Sequence, residues 1–299
     1  MELRDIEYFA TVAQYGHLGR AAEALGLGQP ALSMSLRRLE TFANAKLVKR
    51  TAKGVELTAV GAALLSHVAK LRVARDDLAR EMADLAQGRA GHLRIGASPS
   101  NSEIFIHEAC STLSMEAPKL TMTISVMDND ALMPALRKGD LDLALTHAEP
   151  STLPDIGHEF LRTDEFVIYC ASDHRLARRK SLTLDDLAHE RWAISAAGAF
   201  GSLLSLRHAF EARGLPLPTI TLVSDLVMFK LRVVAATGLI GVTVKQNVQA
   251  AVGHLRLKIL PVKDLTWLRS VVIAYRKDGY LSPAAKRFID IIRSIATRS

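Results

Sequence analysis

The 299-residue chain predicts a multidomain α/β fold: an N-terminal winged helix-turn-helix, a long linker helix and a C-terminal domain of two α/β lobes. Three observations predict it. Residues 21–40 carry two short apolar stripes of helical period separated by Gly26-Leu27-Gly28, residues 59–87 contain no proline and repeat leucine every seven positions, and beyond residue 91 strand and helix periodicities alternate. The expected domains are 1–58, 59–88 and 91–299, with lobe I at 91–163 plus 268–299 and lobe II at 164–267.

Ala21, Ala22, Leu25 and Leu27 share one helical face, and Gly26 suits a left-handed helix end. Pro30 fits the first turn of a second helix, in which Leu32, Leu36 and Leu39 bury one stripe. The other stripe offers Gln29, Pro30, Ala31, Ser33, Ser35, Arg37 and Arg38, mostly small hydrogen-bonding and cationic groups of the kind that bond base edges and phosphates in a major groove. A helical hairpin with a merely solvated polar face would read the same way.

The next segment favours double-stranded DNA as the partner. Lys46, Lys49, Arg50, Thr51 and Lys53 lead to Gly54, after which Val55-Glu56-Leu57-Thr58 alternates as a strand, so a basic wing of two short strands is expected. From Gln29 to Lys53 six basic residues (Arg37, Arg38, Lys46, Lys49, Arg50, Lys53) face one acidic residue, Glu40. That excess is sharper than the whole-chain net charge of +7, and phosphates are neutralised by local clusters.

Residues 1 to about 90 resemble the N-terminal domain of LysR-type transcriptional regulators. Met1 to Phe9 is similar to that family's first helix, Ala21-Ala22-Glu23-Ala24-Leu25 to its second, and Gln29-Pro30-Ala31-Leu32-Ser33 with Leu39-Glu40 to its recognition helix. Leu47-Val48-Lys49-Arg50-Thr51, Leu57-Thr58 and Gly61 resemble its wing. The chain departs from the family where Gly28 replaces the usual Ser or Thr ahead of the recognition helix, removing one hydroxyl from the phosphate contacts. It departs again at His17-Leu18-Gly19, which lacks the usual hydroxyl cap and aromatic at the entry to the second helix.

The helix expected over Ala59 to Gln87 carries Leu64, Leu71, Leu78 and Leu85, with Val68 and Met82 between them and Arg75 as an interruption. Such a seam pairs two helices, and a dimer is what spaces two recognition helices on DNA half-sites. The alternative is a helix packed on its own chain. Self-association through this helix, building toward a tetramer, is what the family resemblance implies.

The C-terminal region reads as strand 92–97, helix 104–115, strand 120–127, helix 131–138 and strand 141–145, an order that argues for a mostly parallel sheet. A second unit has strands near 166–170, 192–195, 219–223 and 240–243 with helices 203–212 and 226–236, and the chain closes with strand 270–275 and helix 283–295. Leu93-Arg94-Ile95-Gly96, Leu136 to Ala144, Asp173 to Ala177 and Ser181 to Leu187 resemble the LysR effector domain, a relative of the periplasmic-binding-protein fold. Ile240 to Val244 lacks the proline that family places at its end.

Ligands of open α/β sheets lie beyond the carboxyl ends of strands, so the donor run Ser98, Ser100 and Asn101 is the leading small-molecule signal, with ordinary helix capping as its alternative. By position in the family pattern, Ser100, Asn129 and the stretch from Ser195 to Phe200 correspond to effector positions, and Thr146 ends a strand facing the same cleft. Phe200 and Phe229 would supply an apolar wall, Phe229 being equally suited to core. The resemblance thus implies a small effector, expected to be an anionic or aromatic carboxylate.

Other classes find less support. The ten histidines are scattered, no nucleophile elbow or phosphate loop occurs, and Cys110 and Cys170 lack metal spacing, so neither catalysis, metal nor cofactor is expected. An enzymatic or solute-binding α/β protein with a fused helical domain is the alternative; a solute-binding protein needs export, and charged Glu2, Arg4, Asp5 and Glu7 break up the N-terminus. No apolar stretch reaches the ~18 residues a membrane span needs, so no membrane contact and a cytoplasmic location are expected.

Overall fold

The structure, a computed structural model, describes residues 2–52, 54–87, 91–148, 153–195, 202–263 and 267–298. The chain divides into two compact units, Met1–Ala79 and Arg80–Ser299, so the division falls inside a single helix.

The first unit packs α1 (Leu3–Tyr15), α2 (Leu18–Ala24) and α3 (Gln29–Ala43) around Phe9, Val12, Ala21, Leu32 and Leu39, all nearly inaccessible. Gly28 caps α3 with no side-chain bond, as its lack of a hydroxyl dictates, and Pro30 occupies the first turn. The entry to α2 lacks the usual hydroxyl cap, as expected, but is not uncapped: the Nδ1 of His17 accepts from the backbone N–H of Gly19 at 3.2 Å, so imidazole does the work of the absent hydroxyl.

The wing is the antiparallel hairpin β1 (Val48–Thr51) and β2 (Gly54–Leu57). Gly54, at φ 132°, lies so close to the α1–α2 turn that a Cβ would meet the carbonyl oxygen of Gly16 at 2.3 Å. The 29-residue α4 (Ala59–Gln87) begins with the same economy, since a Cβ on Gly61 would meet the Leu47 carbonyl at 2.0 Å. The wing therefore sits directly against the helices that flank it.

The second unit is a nine-stranded sheet in the order β4-β3-β5-β11-β6-β9-β7-β8, with β10 (Leu257–Ile259) paired to β6. Lobe I holds β3 (His92–Ala97), β4 (Thr121–Val126) and β5 (Leu143–His147) in parallel, flanked by α5 (Pro99–Asn101), α6 (His107–Glu116), α7 (Asn129–Lys138) and α11 (Pro283–Arg298). Lobe II holds β7 (Arg191–Ile194), β8 (Thr219–Val223) and β9 (Ile240–Val244) in parallel, with α8 (Ser202–Glu211), α9 (Val227–Ala235) and α10 (Lys245–Val252).

The expectation of a mostly parallel sheet is corrected at its centre. The 16-residue β6 (Ile156–Ala171) pairs antiparallel with β11 (Leu268–Arg276) up to Glu165 and with β9 from Phe166, so it belongs to both lobes. Its first half has mixed polarity because buried and exposed positions mingle along it, and the sequence signal covered only the apolar end. Buried Leu93, Ile95, Phe105 and Phe288 fill one core, and Trp192, Phe210, Ile194 and Val242 fill another, so each lobe is independently packed.

Candidate DNA interface and effector cleft

On α3 burial separates two sets of the expected DNA residues. Gln29, Pro30, Ala31 and Arg37 are exposed and Ser33 is half-buried, together forming one stripe that also includes the exposed Met34. Beside them Lys49, Arg50 and Thr51 are exposed on β1, whereas Lys53 lies outside the described residues. Arg37 makes no ion pair among the described residues. Its guanidinium and the wing cations are available to an external anion.

One expected contact is corrected, and a second is tied to the fold. Ser35 is 1% exposed and donates to Asp5 Oδ1 at 2.5 Å, so its hydroxyl faces α1 rather than a groove. Arg38 is half-exposed, but its Nη2 is 2.6 Å from the same oxygen and its Nε bonds Asp5 Oδ2. The hydrogen bond from Arg38 holds the Asp5 carboxyl below the usual range, against burial and with help from Ser35. Lys46 is likewise spoken for: it pairs with Glu40 at 2.7 Å, while the other Glu40 oxygen accepts from the N–H of Leu47. Burial pushes the Glu40 carboxyl up, yet these partners outweigh it and hold it low. Part of the local basic excess, Arg38 and Lys46, thus fastens the fold, with Arg37, Lys49 and Arg50 left for a partner.

Met34 was missed, because a methionine on a polar stripe carries no hydrogen-bonding signal; apolar contact with a thymine methyl is the chemistry it offers there. The linker helix is also sorted by burial. Half-buried Leu64 and buried Val68 pack against the first unit's core, whereas Leu71, Leu78, Met82 and Leu85 are 46%, 58%, 62% and 81% exposed.

In the second unit, the carboxyl ends of the two parallel strand sets carry the remaining expected residues. Ser98 follows β3 and is 6% exposed; instead of capping α5 with its side chain, its Oγ accepts from Asn101 Nδ2 at 2.9 Å. Asn101 is fully buried, with its Oδ1 unpartnered among the described residues, and Ser100 is half-buried. A π-helical stretch, Ser102–Ile106, follows at once. Such stretches are frequent at functional sites.

Thr146 and Asn129 come together, but on one another. Thr146 is 2% exposed and donates to Asn129 Oδ1, and the half-buried Asn129 donates through Nδ2 to the His147 carbonyl at 3.1 Å, so the pair also clamps the end of β5 against the start of α7. Phe229 is 48% exposed on α9, which sets aside its alternative as plain core, and Phe200 lies outside the described residues. Ser195, directly after β7, accepts a hydrogen bond from Lys230 Nζ. Lys230 was missed, although a lysine among Val227, Leu231 and Val234 on a buried helical stripe is a signal the sequence contains.

The two ends face each other electrostatically. Burial, then Asp225 of lobe II and Asp130, push the Asp128 carboxyl of lobe I above its ordinary range. Among the described residues no cluster suits a metal ion, and no described helix is long and apolar enough to cross a membrane.

Residues 3–62 match the family described as bacterial regulatory helix-turn-helix protein, lysR family, and residues 86–296 match the LysR substrate binding domain. The HTH-type transcriptional regulator CbbR of Rhodospirillum rubrum is 29% identical over 294 residues, covering 98% of this chain and 96% of that protein. The crystal structure of full-length CbnR complexed with its target DNA superimposes with a TM-score of 0.63 at 20% identity, over 99% of this chain and 100% of that one. The effector binding domain of QuiR in complex with shikimate gives 0.57 at 21% identity, over 70% and 98%. At these identities the structural likeness is one of fold. The domain matches, spanning both units, establish that the chain belongs to the LysR family and is a DNA-binding transcriptional regulator with an effector-binding domain.

Proposed function

We propose that the protein binds promoter DNA as an oligomer and that a small carboxylate held between the two lobes of its effector domain alters that binding. The observation that carries the DNA half is the stripe of exposed Gln29, Pro30, Met34 and Arg37 with half-buried Ser33, beside exposed Lys49, Arg50 and Thr51. α3 enters the major groove and the wing lies on the phosphates. The exposed leucines of α4 pair two copies, consistent with the two-fold spacing of half-sites, and further contacts build a tetramer.

The effector half rests on Ser98, Ser100, Asn101 and Ser195 at the carboxyl ends of parallel strands, where helix starts favour anions. The ligand acts by preferring one angle between the lobes, which biases how two copies space their recognition helices; a ligand indifferent to the angle would change nothing. DNA-dependent regulation of this kind belongs in the cytoplasm, and the relatives being named regulators supports a non-enzymatic role.

The test is anisotropy with a duplex selected from a random pool by the wild-type protein. Arg37→Ala is expected to cost about 1–3 kcal/mol of binding with an unchanged thermal midpoint. Unchanged affinity would remove α3 from the groove.

A further inference from the structure

Lys230 lies one turn into α9 and is 1% exposed, a cost that few lysines bear. Its Nζ donates to the neutral hydroxyl of Ser195, and among the described residues it makes no ion pair. Burial lowers its pKa to about 8, with Asp225 opposing from longer range, so the side chain is still mainly an ammonium at neutral pH. A buried cation whose one direct bond among the described residues is to a hydroxyl, with Asp225 acting only from longer range, is weakly compensated. Packing does not call for it, because its neighbours Val227, Leu231 and Val234 belong to an apolar cluster that a methionine or leucine would extend.

Its place in the fold says what the charge is for. Ser195 follows the last residue of β7, and Asp225 lies between β8 and α9, so both stand at the carboxyl edge of the parallel strands of lobe II. The field of Asp225 reaches Lys230 on one side and Asp128, at the start of α7 in lobe I, on the other. Through Ser195, Lys230 is fixed at that carboxyl edge of lobe II.

We propose that Lys230 is the specificity-determining residue of the effector site, its ammonium pairing with the single carboxylate of a small monoanionic ligand beside Ser195. This deepens the reading of the cleft as the effector site and rests on it. The carboxylate supplies a counter-charge in direct contact that no described residue supplies, and in a buried setting a charge-assisted bond of this kind is strong. Asp128 and Asp225 at the same edge repel a second negative charge, so a dicarboxylate is disfavoured. A neutral amide of the same shape leaves the ammonium unpaired.

The test uses the full-length protein and thermal unfolding with butyrate, benzoate and shikimate, their amides, and the dicarboxylates succinate and phthalate, compared across wild type, Lys230→Met and Lys230→Gln. A monocarboxylate is expected to stabilise wild type where its amide and the dicarboxylates do not, and both variants are expected to bind it about thirtyfold more weakly or worse. Without ligand, Lys230→Met is expected to melt at or above wild type, because an under-compensated charge has gone; a midpoint several degrees lower makes the lysine structural and overturns the proposal. A compound that stabilises wild type and both variants alike also overturns it. If that compound's effect is lost in the cleft-filling Ser195→Phe, the cleft survives as the effector site; if it is kept there too, the cleft reading falls as well. Failure of every monocarboxylate to stabilise wild type overturns the carboxylate assignment.

Discussion

Arg37 and Arg38 are neighbours in the chain with opposite duties. Sequence placed both on the polar stripe of α3, and nothing in two consecutive arginines distinguishes them; the distinction is made by Asp5, thirty-three positions away on α1, which takes Arg38 and Ser35 together. Contacts at such separation are invisible to local pattern, whereas the apolar positions Leu32, Leu36 and Leu39 were legible because burial repeats with the helix. Removing Arg38 takes the cation from a carboxylate that is nearly inaccessible and leaves it only the Ser35 hydroxyl, so Arg38→Ala is expected to lower folding stability, in contrast to Arg37→Ala. The sign with pH follows from the depressed Asp5 carboxyl. Its stabilisation is fully present above the unfolded carboxylate range and is lost as pH falls through the native value, so the wild-type advantage over Arg38→Ala should shrink in acid. Urea titrations at neutral and acid pH check this, and a gap that stays constant would separate the stability of α3 from the Asp5 pair.

Among the elements, the long ones declared themselves. α4 runs from Ala59 to Gln87 as the proline-free heptad run predicts, and the short apolar strands of both lobes fall within a residue or two of their signals. The first half of β6 and all of β10 and α10 did not, because β6 alternates irregularly between two partners, β10 is three residues long with one buried position, and the eight residues of α10 present only three buried positions, Asn247 among them. Within α4 the leucine repeat has two functions that spacing alone cannot separate. Leu64 packs on the first unit's core while Leu71, Leu78 and Leu85 remain outside. Leu78→Arg is therefore expected to shift full-length protein toward monomer with little change in monomer fold, as a charge at a pairing seam opposes close approach. Leu64→Ala should act as a core deletion, costing up to about 2 kcal/mol because the side chain is only half-buried. Sedimentation and thermal unfolding of the two variants check the division. A Leu78→Arg protein that sediments as wild type does would place self-association elsewhere.

At the scale of the whole molecule, the lobed architecture was readable from the order of strands and helices, but the electrostatics of the cleft were not, since they arise where β7, α9 and the start of α7 converge from distant parts of the sequence. Their consequence is a stability that depends on pH in a definite direction. Lys230 has a native pKa of about 8 against 10.5 in the unfolded chain, so between those values the unfolded state binds more protons and the contribution of this group to stability rises with pH. The buried thiol of Cys170 acts oppositely: burial pushes it up to about 11, so the native state keeps its proton longer and stability falls as pH passes the ordinary thiol value. The two overlap in wild type, and the comparison with Lys230→Met isolates the first. The unfolding free energy of wild type relative to Lys230→Met is expected to increase by on the order of 3 kcal/mol between about pH 7 and about pH 10.5, where the native amine is neutral and the unfolded one is losing its charge. Denaturant titrations at the two ends measure it. A difference that does not change with pH would mean that the lysine carries no desolvation cost, and that the fold already provides the counter-charge we assign to the effector.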